Sequence, residues 1–204
     1  MLKAGQAIPG DAKLVLIPGS KSTRGDLNFL REQGWDIDLY AHYRRGGHIL
    51  GLCGGYQMLG KQIDDPDGLD GPAGRTEGLG LLDVKTEMLP EKTLRKITAI
   101  HRDSSLVVEG YEIHLGKTTG EDCKQPFAYL DKEPEGACSK DGRISGSYLH
   151  GLFCSDGFRS AFLENLGVSG GDLKYEKNLD DVLNELAKHI EDQLDVDALL
   201  EVAK

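Results

Sequence analysis

The stretch HILGLCGGYQMLG, residues 48–60, joins an apolar run to an amphipathic segment through a cysteine and two glycines. The apolar run predicts a buried strand over residues 48–53, and the segment after the glycines predicts a helix over residues 56–61. Cys53 then lies at a strand-to-helix turn whose neighbours are small. Such a turn holds a nucleophile in a strained backbone conformation and lets strand, helix and substrate approach closely.

This position predicts a reactive thiol at Cys53. The N-terminus of the following helix directs its N–H groups and its positive dipole end at the sulfur, which would lower the pKa of the thiol. The N–H of Gly54 is placed to bind an oxyanion. A buried structural cysteine is the alternative, since free cysteine is among the most buried residue types. The glycines beside Cys53 favour the nucleophile.

The residues before the turn alternate between strand and helix patterns. Residues 12–19, AKLVLIPG, predict a short buried parallel strand, and residues 22–34 and 36–45 predict two helices. Short connections between such elements are typical of an α/β fold with an open, mostly parallel sheet flanked by helices. Ligands bind such sheets at the carboxyl ends of the strands, where Cys53 lies.

The whole chain of 204 residues has the length of one domain. Residues 1–12 are interpreted as an N-terminal lead-in and residues 62–77, rich in Gly, Asp and Pro, as a surface loop. The chain beyond is β-rich, with a hairpin signal at residues 141–142. Residues 179–203 predict an amphipathic C-terminal helical segment, for which docking on the domain is favoured over a partner-facing role.

Composition excludes several classes of protein. The net charge of −10 argues against a nucleic-acid partner, and the absence of a long apolar run or a signal-peptide pattern argues against a membrane partner. We therefore expect a cytoplasmic protein whose four cysteines are thiols. His150 and Cys154 are four residues apart, but no further ligand pair completes a zinc site, so no metal is expected.

A cysteine nucleophile needs a base, and the chain has six histidines. His48 begins the strand that ends at Cys53, so at about 3.3 Å per residue it lies at the opposite end of the sheet. His114 in GYEIHLG and His150 in GSYLHGLF each end an alternating run beside a glycine. His150 is favoured because it ends a strand just before a helix, where ligands of such sheets gather.

Motifs that follow one another through residues 14–153 carry a resemblance to a known family. They are LIPGSKST, RGGHILGLCGGYQMLGKQIDDPDG, EGLGLLDV, GYEIHLGKT and GSYLHGLF. These motifs resemble the class I glutamine amidotransferases, in the branch that contains the cobyric acid and cobyrinic acid diamide synthases. The resemblance implies a flavodoxin-like fold in which Cys53 is the nucleophile and His150 its base. It also implies an oxyanion hole from the N–H groups near Gly19, Ser20 and Gly54, and a role for Gln57 in holding the substrate glutamine.

The resemblance implies the glutaminase half of a ligase. A Cys-His dyad would hydrolyse glutamine, and the ammonia would serve the ATP-dependent amidation of a corrinoid acceptor. The resemblance further implies that this acceptor is adenosylcobyrinic acid a,c-diamide of cobalamin biosynthesis, amidated at its peripheral b, d, e and g carboxylates. No cofactor is expected in this domain; ATP and Mg are expected in an N-terminal synthetase domain that precedes it. PGSKST lacks the pattern of a phosphate-binding loop.

The sequence departs from the family pattern at two places. Typical class I glutaminases carry a glutamate two residues after the histidine, and here that residue is Leu152. Glu112 and His114 are candidates for orienting the imidazole, and Arg95 is a candidate for binding the α-carboxylate of glutamine. The chain also begins close to its first predicted strand. We therefore expect a sheet without its usual first strand, and weak glutamine hydrolysis until the synthetase domain is supplied.

Three alternatives stay open. The glutaminase could serve another acceptor, as in cobyrinic acid diamide synthase or in the amidation of peptidoglycan precursors. The fold could be a non-catalytic interaction module, although the candidate nucleophile and base are both present. A cysteine hydrolase or protease of related fold is disfavoured by the Y-L-H-G motif and by Gln57.

Overall fold

A computed structural model describes residues 1–169, 171 and 174–203. The strands are β1 (Leu14–Ile17), β2 (His48–Leu52), β3 (Gln62–Asp65), β4 (Gly74–Glu77), β5 (Val84–His101), β6 (Val107–Gly120), β7 (Ala128–Leu130), β8 (Glu133–Glu135), β9 (Ala137–Cys138), β10 (Ile144–Ser147) and β11 (Leu149–His150). The α-helices are α1 (Thr23–Glu32), α2 (Trp35–Arg44), α3 (Gly54–Leu59), α4 (Asp156–Asn165), α5 (Tyr175–Gln193) and α6 (Val196–Val202). Short 3₁₀ turns cover Asp122–Lys124 and Leu152–Cys154.

The first sheet has the strand order β1-β2-β10-β9. Its strands β1, β2 and β10 are parallel, and β9 joins β10 as an antiparallel hairpin. The hairpin turn includes Gly142 with a φ of 71°, a conformation that favours glycine. The predicted α/β class with a largely parallel sheet is confirmed. The strand predicted over residues 48–53 is β2, and the helix predicted over residues 56–61 is α3, which begins two residues earlier.

The second sheet is mainly antiparallel and has the order β11-β6-β5-β3-β4, with β7 and β8 attached at β5. Its centre is the long ribbon formed by β5 and β6. The sequence predicted strands in this region but not that they would form a sheet of their own. The chain crosses from the first sheet to the second between β10 and β11, at Tyr148, and this crossing places β11 beside β6.

The prediction of a surface loop over residues 62–77 is wrong at both ends, where β3 and β4 pair antiparallel. An acidic residue at the end of β3 stabilises the turn between these strands. Asp65 is fully buried, and its carboxylate accepts hydrogen bonds from the N–H groups of Leu69 and Asp70 at 2.8 and 2.9 Å. It also pairs with Arg24 at 3.4 Å. Residues whose composition is typical of a loop are thus ordered by contacts that include a residue distant in the sequence.

Two apolar clusters form the core on either side of the first sheet. One includes Leu27, Leu39, Tyr56 and Leu59, contributed by α1, α2 and α3. The other includes Phe127 and Phe158, so that α4 covers the second face. The helices on both faces protect the parallel strands from water, as such strands require.

The C-terminal helices lie apart from this core. None of the described side chains of α5 and α6 is buried, so the predicted docking of residues 179–203 on the domain is wrong. The apolar stripe of α5 is between 42% and 61% exposed at Leu179, Val182, Leu183, Leu186 and Ile190. Periodicity indicated the apolar face of this helix correctly, but it carries no information about what covers that face.

The described part of the chain contains no helix that is both long enough and apolar enough to cross a membrane.

Candidate active site

The turn between β2 and α3 is the elbow predicted from the sequence. Cys53 lies between Leu52 and Gly54 with φ 51° and ψ −112°. Residues other than glycine populate this region rarely, and the conformation costs roughly 1–3 kcal/mol. Such strain persists only where the surrounding structure enforces it, and it is typical of an exposed nucleophile at a strand-to-helix turn.

The glycines around Cys53 are required by backbone packing. A Cβ on Gly55 would lie 2.1 Å from the carbonyl oxygen of Ile17, and one on Gly51 would lie 2.6 Å from the carbonyl oxygen of Gly55. A Cβ on Gly54 would lie 3.0 Å from the backbone nitrogen of Ser20. Helix α3 therefore begins directly against the end of β1, which brings the loop at Gly19 and Ser20 next to the elbow.

Cys53 and His150 meet at one backbone carbonyl. The Cys53 thiol donates a hydrogen bond to the carbonyl oxygen of Ile113 at 3.3 Å, and Nε2 of His150 lies 3.2 Å from the same oxygen. A Cβ built on Gly19 would lie 3.5 Å from Cβ of Cys53 and 3.6 Å from Cε1 of His150. The structure thus brings together the predicted nucleophile, the predicted base and the loop after β1.

The pKa of the Cys53 thiol moves in the direction opposite to the one expected. Burial raises this pKa, and the N–H of Gly54 and the charge of Lys92 lower it only in part. Desolvation of the thiolate outweighs the favourable groups at the start of α3. The thiol therefore holds its proton at neutral pH, and a neighbouring base has to remove it before the sulfur can attack.

His114 is arranged differently from His150. Its Nδ1 lies 2.9 Å from the carbonyl oxygen of Gly116, and its Nε2 lies 3.1 Å from a carboxylate oxygen of Glu112. Its ring stacks on Tyr148 with centroids 3.9 Å apart. Both ring nitrogens are engaged away from Cys53, so the geometry favours His150 as the base.

Two of the candidate site residues lie elsewhere. Arg95 pairs with Glu112 at 2.5 Å and does not line the cavity at Cys53. Glu112 contacts Arg95 and His114 rather than His150. Arg95 is therefore not placed to bind a substrate in this cavity. Glu112 is not placed to orient the imidazole of His150.

The cavity that contains Cys53 and His150 measures about 690 Å³, within the range of roughly 300–1,000 Å³ that is usual for small ligands. Two ammonium groups line it, those of Lys21 and Lys92, together with the carboxylate of Asp70. Asp70 accepts hydrogen bonds from the N–H groups of Thr23 and Arg24 at 2.9 and 2.7 Å, so its position is fixed by the start of α1.

Gln57 also lines this cavity, but its side chain is already hydrogen-bonded at both ends. Its Nε2 donates to the carbonyl oxygen of Leu115 at 3.0 Å and to the hydroxyl of Tyr148 at 3.3 Å. Its Oε1 accepts from the hydroxyl of Thr23 at 3.3 Å. These contacts tie α3 to β6 and to the crossing at Tyr148.

Lys92 and the carbonyl of Ile113 were not predicted from the sequence. Lys92 follows a register shift in the pairing of β5 with β6, between Glu87 and Lys92. Pro90 within the β5 pattern was an available signal, because proline in a strand marks an edge or a bulge. No residue type identifies a backbone carbonyl such as that of Ile113, which is placed by strand register alone.

Comparisons with known proteins agree with this fold. Residues 1–158 match the family described as the CobB/CobQ-like glutamine amidotransferase domain, and the chain belongs to this family. Two solved structures share the fold: a glutamine amidotransferase, with a TM-score of 0.53 at 20% identity over 76% of this chain and 80% of that one, and PurLQS from Thermotoga maritima, with a TM-score of 0.52 at 16% identity over 89% and 82%.

Closer relatives in sequence are proteins named cobyric acid synthase. The chain is 62% identical over its whole length to the protein of that name from Bradyrhizobium diazoefficiens and 57% identical to the one from Cereibacter sphaeroides. It spans 42% of the length of each. The chain is therefore a glutamine amidotransferase domain that matches part of larger proteins.

Proposed function

We propose that this domain hydrolyses glutamine through the Cys53–His150 dyad and delivers the ammonia to an ATP-dependent amidation. The observation that carries the proposal is the shared carbonyl of Ile113, within 3.3 Å of the thiol sulfur and 3.2 Å of the imidazole. The proposal is supported by a thiol and an imidazole that approach the same oxygen beside a strained turn, because covalent catalysis by cysteine needs a base near the nucleophile.

The first half of the reaction forms a thioester. A ring nitrogen that hydrogen-bonds to the carbonyl of Ile113 carries a proton, so His150 accepts the proton of Cys53 on an unprotonated nitrogen turned to the thiol. The thiolate then attacks the side-chain amide carbon of glutamine. The resulting oxyanion is directed at the N–H groups of Gly54 and of the loop at Gly19 and Ser20, where losing one donor typically costs about 2.7–4 kcal/mol. The C–N bond then breaks, and the imidazolium of His150 protonates the departing nitrogen to give ammonia.

The second half regenerates the enzyme. Water attacks the glutamyl thioester while His150 accepts a proton from it, a second oxyanion forms at the same donors, and glutamate leaves as the proton returns to the sulfur. Because the pKa of the free thiol is raised by burial, the proton transfer to His150 is needed at each turnover.

Charges around the cavity suit the other end of glutamine. The ammonium groups of Lys92 and Lys21 are available for the α-carboxylate, in the role that the sequence suggested for Arg95. The carboxylate of Asp70 is available for the α-ammonium group. The γ-amide of the substrate then extends toward Cys53, which lies in the same cavity.

The fate of the ammonia is proposed from the relatives. They are named cobyric acid synthase and are more than twice as long as this chain, which leaves room for a part that binds ATP and Mg and activates a carboxylate. The acceptor proposed here is adenosylcobyrinic acid a,c-diamide, amidated at its b, d, e and g carboxylates. Glutamine hydrolysis by this chain alone should rise when that synthetase part is supplied.

Labelling with a diazo-ketone analogue of glutamine tests the dyad. We expect one covalent adduct on Cys53, located by peptide mass spectrometry, and none in the Cys53→Ser variant. Cys123→Ser is the matched control, since Cys123 is also a half-buried thiol whose pKa is raised by burial. Labelling that persists in Cys53→Ser, or that falls mainly on Cys123, Cys138 or Cys154, would overturn the proposal.

A further inference from the structure

Glu135 is a buried carboxylate that the chemistry above does not use. It ends β8, is 7% exposed, and takes part in none of the ion pairs found among the described residues. Burying a carboxylate without a cation is costly unless its oxygens accept hydrogen bonds. The groups that donate hydrogen bonds to Glu135 therefore indicate its role.

Both carboxylate oxygens of Glu135 bind the crossing between the two sheets. One accepts a hydrogen bond from the N–H of Tyr148 at 2.6 Å, and the other accepts from the hydroxyl of Ser147 at 2.8 Å. The same hydroxyl accepts from the N–H of Leu149 at 3.1 Å. Glu135 thus fixes three consecutive residues where the chain leaves β10 and enters β11.

This crossing is linked to both members of the proposed dyad. The carbonyl oxygen of Ser147 accepts a hydrogen bond from the N–H of Cys53 at 2.8 Å, which ties the elbow to the crossing. His150 follows Leu149 directly on β11. The position of the imidazole relative to the sulfur therefore depends on the conformation of residues 147–149.

We propose that Glu135 is the positioning residue of the Cys53–His150 pair, acting through the main chain of residues 147–149. The inference rests on the proposed function. It also supplies a means of orienting His150 in a chain where Leu152 replaces the usual orienting glutamate. Glu112 cannot take that role, because its carboxylate contacts His114. The ionised carboxylate stiffens the crossing, because hydrogen bonds to a charged acceptor are about twice as strong as neutral ones.

The charge of Glu135 is sensitive to pH near neutrality. Burial raises the pKa of Glu135 to about 7, against the opposing effect of the hydrogen bonds from Tyr148 and Ser147. The groups that interact with it electrostatically are Glu112, Tyr56, Cys123, Cys138 and Tyr148. Glu91, His114 and Lys117 share its cavity.

Ionisation of Glu135 should change stability and activity in opposite directions. Because the pKa of Glu135 is higher in the folded chain than in the unfolded one, its contribution to stability is complete below the ordinary range of glutamate and is lost as the pH rises through about 7. Activity needs the ionised form and should gain over the same interval. If Glu135 only stabilised the fold, activity would not rise over the pH interval in which stability falls.

Glu135→Gln tests the proposal, because glutamine keeps the shape of the side chain but stays neutral. Its carbonyl oxygen can still accept from the N–H of Tyr148, whereas the bond to Ser147 has to reverse, with the amide NH2 donating to the hydroxyl oxygen. The readout is the inactivation of Cys53 by the diazo-ketone analogue, measured as a maximal rate and a half-saturating concentration between pH 5.5 and 8.5. At pH 8 we expect the maximal rate to fall about tenfold with half-saturation unchanged. Below pH 6 the maximal rates of the variant and the wild type should become equal. At pH 8 the melting temperature of the variant should be no lower than that of the wild type.

Glu133→Gln, an exposed substitution on the same strand, is the matched control and should leave the rate unchanged. Ser147→Ala removes one partner of the carboxylate, and combining it with Glu135→Gln should slow inactivation no further than the slower single variant. Equal rates for Glu135→Gln and wild type at pH 8, a rate ratio that does not change with pH, or fully additive losses would overturn the inference. Absence of labelling at Cys53 in the wild type would instead overturn the proposed function and this inference with it.

Discussion

The elbow at Cys53 and the C-terminal helix α5 differ in what determines their structure. At the elbow, the backbone of α3 packs against the end of β1 so closely that a Cβ on Gly55 would lie 2.1 Å from the carbonyl oxygen of Ile17. In α5, none of the described side chains is buried. The elbow is enforced by contacts distant in sequence, whereas α5 follows from local periodicity alone. The difference separates residues whose substitution should affect activity and stability from residues whose substitution should affect neither.

The largest contrast is expected between two histidines. His150→Ala should lower glutamine hydrolysis by about 10²–10⁴-fold, because it removes the proton acceptor of Cys53 and the proton donor for ammonia. His189→Ala, on exposed α5, should leave turnover unchanged. Ammonia release at saturating glutamine, with the synthetase part supplied, measures both. Loss of turnover in His114→Ala with retention in His150→Ala would reverse the assignment of the base.

Two glycines at helix starts give the next contrast. Gly55→Ala places a methyl group against the fixed backbone of Ile17 and Pro18, and we expect a loss of about 3 kcal/mol in the free energy of unfolding. A Cβ on Gly157, in the first turn of α4, would meet no atom within 4 Å outside its own turn of helix, so Gly157→Ala should change stability by less than about 1 kcal/mol, in the stabilising direction. Urea unfolding compares the two, and similar losses would show that the elbow is not constrained by packing.

The charge facing the substrate should have a smaller effect, confined to binding. Lys92→Met removes one candidate partner of the glutamine α-carboxylate, and a loss of about 1.5 kcal/mol would raise KM about tenfold. Lys188→Met, on α5, is the matched control and should leave KM as it is. A lowered kcat for Lys92→Met with KM unchanged would place the lysine in the chemical step rather than in binding.

Features that depend on neighbouring residues in the sequence were predictable. The buried strand before Cys53, the strained elbow and the helix after it follow from an apolar run, small residues and helical periodicity. The choice of His150 over His114, made from where each strand ends, stays a prediction that the contacts of the two imidazoles support. The strand and the helix depend on residues close in sequence. The elbow is also enforced by contacts with β1, and His150 lies on β11 of the second sheet.

Features set by strand register and by burial were not predictable. The register of β5 with β6 turns Lys92 to the cavity and leaves Arg95 with Glu112. The pKa of the Cys53 thiol is raised because desolvation exceeds the effect of Gly54, and burial is a property of the assembled fold. The composition of residues 62–77 is typical of a loop, and it does not show that Asp65 pairs with Arg24, which is distant in the sequence.

The smallest effect is expected on the apolar stripe of α5. Leu186 is 52% exposed, so Leu186→Lys removes little buried area and should change the free energy of unfolding of the body by less than about 0.5 kcal/mol. The single tryptophan, Trp35 on α2, reports the unfolding of the body by fluorescence, and it lies 5.8 Å from the ring of Phe29. Leu59→Ala, at a fully buried position on α3, should by contrast cost about 2–5 kcal/mol.

The same pair of variants also separates the folding of the helix from that of the body. If α5 forms from local interactions, far-ultraviolet circular dichroism of Leu186→Lys should match the wild type, because lysine is as good a helix former as leucine. In Leu59→Ala the signal of the body should melt earlier than in the wild type. A loss above about 1 kcal/mol for Leu186→Lys would mean that the stripe packs against the body in solution, and the contrast between the two regions would then be wrong.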